Sequence, residues 1–260
     1  QFTTAEQIAS GDPKALGSVL AAAAQLAARK GDYLRAESLF ERLAIEGDGS
    51  LLSSPLLLLD RARTAAALGQ KAVALSLIFQ TESASKEDLI RCERQKVSAI
   101  VEYLSGDFRA AAAAAEVGLE QSRSLGLTRL VAEILQLLGE LFIRQNDLPR
   151  AYGALQQATA LSEEACDERL TVQGRTFIAF LDAVAGDREA DQKIKDGISF
   201  ARDNDYTSDR LLGQWLMGLL LMRRGAPEAS RIEFQKLAVL AKEAGMKLAE
   251  DDCARALSSS

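Results

Sequence analysis

The chain has 260 residues, 48% apolar and 26% charged, enough to bury a sizeable core, which excludes a disordered or collagen-like protein. Its 31 Lys and Arg against 37 Asp and Glu leave a formal charge of −6, the wrong sign for a surface that releases counterions from nucleic acid. Histidine is absent, so Ser-His-Asp and Cys-His pairs, a histidine general base and His-containing zinc sites are all excluded.

A turn dipeptide led by Gly or Asn returns at Gly31-Asp32, Gly69-Gln70, Gly106-Asp107, Asn146-Asp147, Gly186-Asp187 and Gly225-Ala226, at separations of 38, 37, 40, 40 and 39 residues. Helical sequence flanks each turn, so the chain reads as six helical hairpins, or twelve helices, spanning approximately 13–50, 51–85, 86–126, 127–166, 167–205 and 206–245. In the first unit Pro13 follows Gly11-Asp12 at a helix start, and Ala36, Leu39, Phe40 and Leu43 recur at the three- and four-residue steps of a helix face. Unit two opens at Pro55, and the second helix of unit three carries the run Ala110 to Ala115, which favours helix and close packing. In unit four Pro149 follows the turn and Ala151, Leu155, Ala158 and Leu161 make the stripe. Glu163-Glu164 and Asp167-Glu168 fall in the loop before unit five and read as a solvated region, and Pro227 opens the last second helix. Residues 246–260, charged at Lys247, Glu250, Asp251, Asp252 and Arg255, form a C-terminal cap or a frayed tail.

Gly, or Asn as next best, suits the left-handed residue that ends a helix, and the Asp that follows in four of the six turns suits the N-cap of the next helix. Seven positions before each turn stand Ala24, Ala62, Ala99, Gly139, Ala179 and Gly218, small residues that let the two helices of a hairpin approach closely. Five positions after the first four turns stand Ala36, Ala74, Ala111 and Ala151. In units five and six the alanine comes one residue early, at Ala190 and Ala229, which predicts second helices rotated or shortened at their start.

This arrangement resembles the tetratricopeptide repeat, with the best match at Ala24, Gly31-Asp32-Tyr33, Ala36 and Phe40. The resemblance covers about residues 13 to 245 and is similar to the longer repeats of large bacterial regulators and signalling kinases, since the period exceeds the usual 34 residues and no unit has the helix-ending proline. It implies an all-α, right-handed superhelical solenoid whose first helices line a concave groove for an extended peptide or a helix. Groove positions carried over by the turn alignment are Gln25, Arg63, Lys96, Tyr103, Gln136, Glu140, Gln173, Thr176, Phe180, Trp215 and Leu219. The family's Lys-Asn-Arg clamp for a C-terminal carboxylate is not matched, its places being held by Ala21, Ala22, Leu59 and Asp60, which argues against a chaperone-tail receptor. Trp215 has two readings, a binding hot spot or a residue packed between units five and six; Phe180 reads more readily as core, and Arg63 and Lys96 as solvated charges or as an orienting pair for an acidic partner. The array's own second helices or tail could also fill the groove.

Cys92, Cys166 and Cys253 lie more than seventy residues apart and are odd in number, so they form no disulfide framework or metal pattern and fit a reducing, cytoplasmic compartment. Cys92 and Cys166 read as semi-buried and inert, Cys253 as exposed enough to oxidise. The longest apolar runs, Leu56 to Leu59 and Leu219 to Met222, fall far short of the roughly 20 residues of a membrane span. The chain starts at Gln1 without a methionine and reads as a segment of a longer protein. The expected function is a noncatalytic protein-interaction scaffold with no cofactor or metal, binding a protein or peptide and neither nucleic acid nor membrane. The alternative is a regulatory sensor that binds a small ligand or self-associates.

Overall fold

Gly31, Gly69, Gly106, Gly186 and Gly225 all take left-handed backbone, with φ of 81°, 80°, 81°, 109° and 71°, and Asn146 joins them at φ 60°. Each lies between two helices of a computed structural model that describes residues 2–9 and 11–258; the final two residues of the expected cap segment lie outside the described ones. The first hairpin is α2 (Pro13–Lys30) with α3 (Tyr33–Glu46), and the second is α4 (Pro55–Ala67) with α5 (Lys71–Ala84). They are followed by α6 (Asp88–Leu104) with α7 (Phe108–Ser124), and α8 (Thr128–Arg144) with α9 (Leu148–Glu164). The last two are α10 (Glu168–Val184) with α11 (Ala190–Asp203), and α12 (Thr207–Arg223) with α13 (Pro227–Ala244). A short α1 (Phe2–Ala9) precedes them and α14 (Lys247–Ser258) follows, so the described residues hold fourteen α-helices and no strand. The chain is an all-α helical repeat solenoid, in which consecutive helices pack on one another.

Local sequence explains the helix boundaries. All four prolines stand in the first turn of a helix, where the missing N–H has no intrahelical partner to lose. Asp32, Asp107 and Asp147 each accept a hydrogen bond from the backbone N–H three residues on. Asp187 departs from the expected pattern: its carboxylate accepts from the Glu189 N–H, and α11 begins only at Ala190, so the second helix of unit five is shortened. In unit six there is no shift. Ser230, five positions after Gly225, is the buried residue and donates its hydroxyl to the Gly218 carbonyl at 2.9 Å, while Ala229 is only partly covered. A second series of left-handed residues joins one hairpin to the next at Gly126, Cys166 and Asp205, and the last hairpin to α14 at Gly245. The spacing of the first series gave no sign of it, because two of its four members are not Gly or Asn.

The small residues in register do bring helices together. Ala24, Ala62, Ala99 and Ala179 are fully or almost fully buried, as are Ala36, Ala74, Ala111 and Ala151 on second helices. At Gly218 a Cβ would come within 2.9 Å of the Phe234 ring on α13. The largest apolar cluster runs through the later hairpins and includes Phe177, Phe180, Leu216 and Phe234. A second cluster joins the middle hairpins to Tyr33 of α3 and Leu248 of α14.

That second cluster marks a closure, because the first hairpin meets the last. Lys30 at the end of α2 donates to the Asn204 carbonyl at 3.1 Å and lies 3.8 Å from the Asp205 carboxylate. Its ammonium also stands 5.7 Å from the Tyr206 ring centroid. The Gly31 backbone lies so close to Ser208 that a Cβ would fall 2.6 Å from the Ser208 nitrogen. At the other end of the contact, Gly245 faces Leu34 and Leu68, and Arg144 of α8 donates to Asp252 of α14 at 2.8 Å.

The cysteines reverse the sequence expectation in two places. Cys166 is exposed because it occupies the left-handed turn between α9 and α10. Cys253 is buried on the inner side of α14, where burial pushes its thiol up to about 12 and Asp252 and Glu250 add to the rise. The raised value keeps the Cys253 thiol protonated at neutral pH and so slow to oxidise by way of a thiolate. Cys92 is buried outright.

Candidate functional site in the inner recess

The first helices α2, α4, α6, α8 and α10 turn one face inward and together surround a recess of about 520 Å³. A smaller recess of about 200 Å³ lies next to it, walled by α12 and by Met246, Ala249 and Asp252 of the C-terminal segment. The two share seven lining residues, Arg29, Arg63, Ile100, Leu137, Glu140, Arg169 and Gln173, and so meet at a neck. The wider recess has leucines at its rim, with Leu56 and Leu89 exposed near the starts of α4 and α6.

Between these apolar residues runs a ladder of polar pairs, each linking one inner helix to the next. Gln25 of α2 donates to Asp60 of α4 at 3.0 Å, and Asp60 also holds Arg63 at 2.9 Å. Lys96 of α6 donates to Glu133 of α8, Tyr103 of α6 donates to Glu140 of α8, and Gln136 of α8 donates to the Leu170 carbonyl of α10 at 3.1 Å. Arg129 lies 3.2 Å from Asp167, and Arg169 grips Asp209 of α12 through two hydrogen bonds of 2.7 and 2.8 Å. The rungs fix the relative heights of the inner helices and leave the recess lined by paired charge.

Burial and pairing set the protonation of the two inner glutamates in opposite directions. Burial alone would raise Glu133, yet Lys96 and Arg129 hold its carboxyl below the ordinary value. For Glu140 burial prevails over Arg144 and the Tyr103 hydrogen bond, and its carboxyl is raised. Arg144 closes the far end of the smaller recess. Its guanidinium lies 4.1 Å from the Trp215 ring centroid and 5.1 Å from those of Tyr103 and Phe108, with Asp252 on its other side.

Of the residues expected in a groove, Arg63, Lys96, Tyr103, Gln136, Glu140, Gln173 and Trp215 line these recesses. Gln25 adjoins them through Asp60. Thr176, Phe180 and Leu219 do not line them. Thr176 packs against Gly197 of α11, Phe180 is wholly buried in the main core, and Leu219 lies against that core. Trp215 is 7% exposed, so it is part of the wall, held by Arg144, rather than a projecting anchor. Lys96 is paired with both Glu93 and Glu133 and is not a solvated charge.

Sequence reasoning missed Glu133, Arg144 and Arg169. The usable signal was charge complementarity one repeat apart: Lys96 with Glu133, Arg129 with Asp167 and Arg169 with Asp209 are separated by 37, 38 and 40 residues. No family model and no curated protein matches the chain.

Proposed function

We propose that the chain is a tetratricopeptide-like recognition module without catalytic activity, of the kind carried by larger bacterial signalling or regulatory proteins, and that it receives an extended segment of a partner protein in the inner recess. The observation that carries this is the recess itself, bounded by five successive first helices and lined by both leucines and fixed polar pairs. The paired charges orient a strand of backbone without demanding a net charge of it.

Panning a library of short random peptides against the intact chain tests the reading. Selected peptides are expected to lose at least about tenfold in affinity on Leu137→Trp, which fills the neck shared by both recesses. Undiminished binding by a variant with unchanged circular dichroism would put the peptide site elsewhere.

The closure of first hairpin on last supports a second reading, a sensor for a small ligand. Ala28, Arg29 and Tyr33 of the first hairpin and Met246, Ala249 and Asp252 of the C-terminal segment wall the smaller recess, where an open solenoid would present a continuous groove. The wider recess, about 520 Å³, falls within the roughly 300–1,000 Å³ of small-molecule sites.

A further inference from the structure

The groups at the neck differ in whether their hydrogen-bonding capacity is already used. The carboxylates there are committed: Glu140 to Tyr103 and Arg144, Asp60 to Gln25 and Arg63, and Asp209 to Arg169. The donors are not. Arg29 extends from the last turn of α2 into both recesses and has no acidic partner among the described residues. Arg63 uses one terminal nitrogen on Asp60 and leaves its Nε buried without a partner. The Tyr33 hydroxyl, on the wall of the smaller recess, forms no hydrogen bond among the described residues. Arg63 Nε is the buried one, and a buried donor without a partner costs roughly 1–3 kcal/mol, so the place favours an occupant that brings acceptors.

The neck gathers three guanidinium groups, from Arg29, Arg63 and Arg169; Asp60 and Asp209 hold the last two, which leaves Arg29 as the cation there with no acidic partner among the described residues. From the neck toward the rim an apolar row, Ile100, Leu137, Leu59, Leu56 and Leu89, runs beside the paired charges. We infer that the recess binds a small amphiphilic anion, with a carboxylate or phosphate head seated among Arg29, Arg63 and the Tyr33 hydroxyl and an apolar body lying along the leucines toward the mouth. The inference rests on the small-ligand reading above and names the class of ligand. Arg29 is the residue that admits a clean test, because it is exposed and its removal orphans no carboxylate.

Isothermal titration calorimetry of the intact chain with octyl phosphate, octanoate and octanol separates the possibilities. Saturable binding of an octyl anion is expected, with octanol weaker by about tenfold or more and Arg29→Gln weakening the anion by a similar factor, the scale of one charge-assisted hydrogen bond. The stronger of the two anions identifies the head group. Octanol bound as tightly as the anions, or anion binding indifferent to Arg29→Gln, would leave a small-ligand recess and overturn the anion seat. If none of the three binds, the small-ligand reading falls with it.

Discussion

Glu133 shows how a single side chain holds the ladder. It receives Lys96, itself only 8% exposed, and stands 3.3 Å from Arg129, so removing its charge leaves a buried ammonium with Glu93 alone. Glu133→Gln is expected to cost about 1.5 kcal/mol at neutral pH, the worth of a charge-assisted hydrogen bond. A carboxyl whose pKa is lower in the folded chain stabilises the fold above the unfolded value and loses that contribution as the pH falls through the folded one. Since Glu133 lies below the ordinary 4.5, the gap between wild type and Glu133→Gln should close as the solution is taken from pH 7 to below that value. Glu140 has the opposite sign, its raised carboxyl favouring the fold at low pH and losing that contribution as the pH rises through the folded value. Urea titrations of wild type and Glu133→Gln across this range measure the gap, and one that stayed constant would mean that the Glu133 charge does not hold the fold.

Helix pairing depends on where a glycine lies more than on how many there are. Gly218 and Gly153 are both helical, yet a Cβ at Gly218 meets Phe234 at 2.9 Å, whereas at Gly153 nothing lies within 4 Å. Gly153→Ala should gain about 0.5–1 kcal/mol from helix propensity, while Gly218→Ala should lose roughly 1–3 kcal/mol by overpacking a buried ring. Thermal melts of the two variants are expected to move in opposite directions, and a shared sign would show that the α12–α13 seam adjusts freely. Gly218 was legible in the sequence because a close helix approach admits only small side chains, just as a left-handed turn selects Gly or Asn. The recess was legible in part. Lys96, Gln136 and Trp215 stand ten residues before their turns and line it, but Thr176, at the same offset, faces α11. On α10 the lining residues are Arg169, Leu170, Gln173 and Phe177, toward its N-terminal part. Which face a helix shows to the axis depends on its crossing with both neighbours, and a turn alignment carries no such information. The short α1 has no turn partner to announce it, and it is held by packing on α2 and by an ion pair, Glu6 to Arg42, that spacing does not reveal.

At the scale of the whole molecule the closure changes what an array of repeats should do. In an open solenoid each hairpin contacts only its neighbours, so the end repeats fray first and local stability falls toward both termini. Here α2 and α3 also touch α12, α13 and the Gly245 turn, which gives the first hairpin a second set of partners far along the chain. Amides of α2 and α3 should accordingly exchange with deuterium nearly as slowly as those of the middle hairpins. Gly31 and Gly106 make a matched pair for the test, both at φ 81°, where a side chain costs roughly 1–2 kcal/mol through backbone strain alone. A Cβ at Gly106 meets nothing within 4 Å, but at Gly31 it falls 2.6 Å from the Ser208 backbone nitrogen, which cannot step aside as a flexible side chain would. Gly106→Ala is expected to speed exchange in α6 and α7 only. Gly31→Ala is expected to speed it in α2 and α3 and, together with them, in α12 and α14, because opening the contact frees both of its sides. Exchange confined to α2 and α3 in that variant would mean that the two ends touch without supporting each other, and the recess would then have an open side through which a longer partner segment could pass.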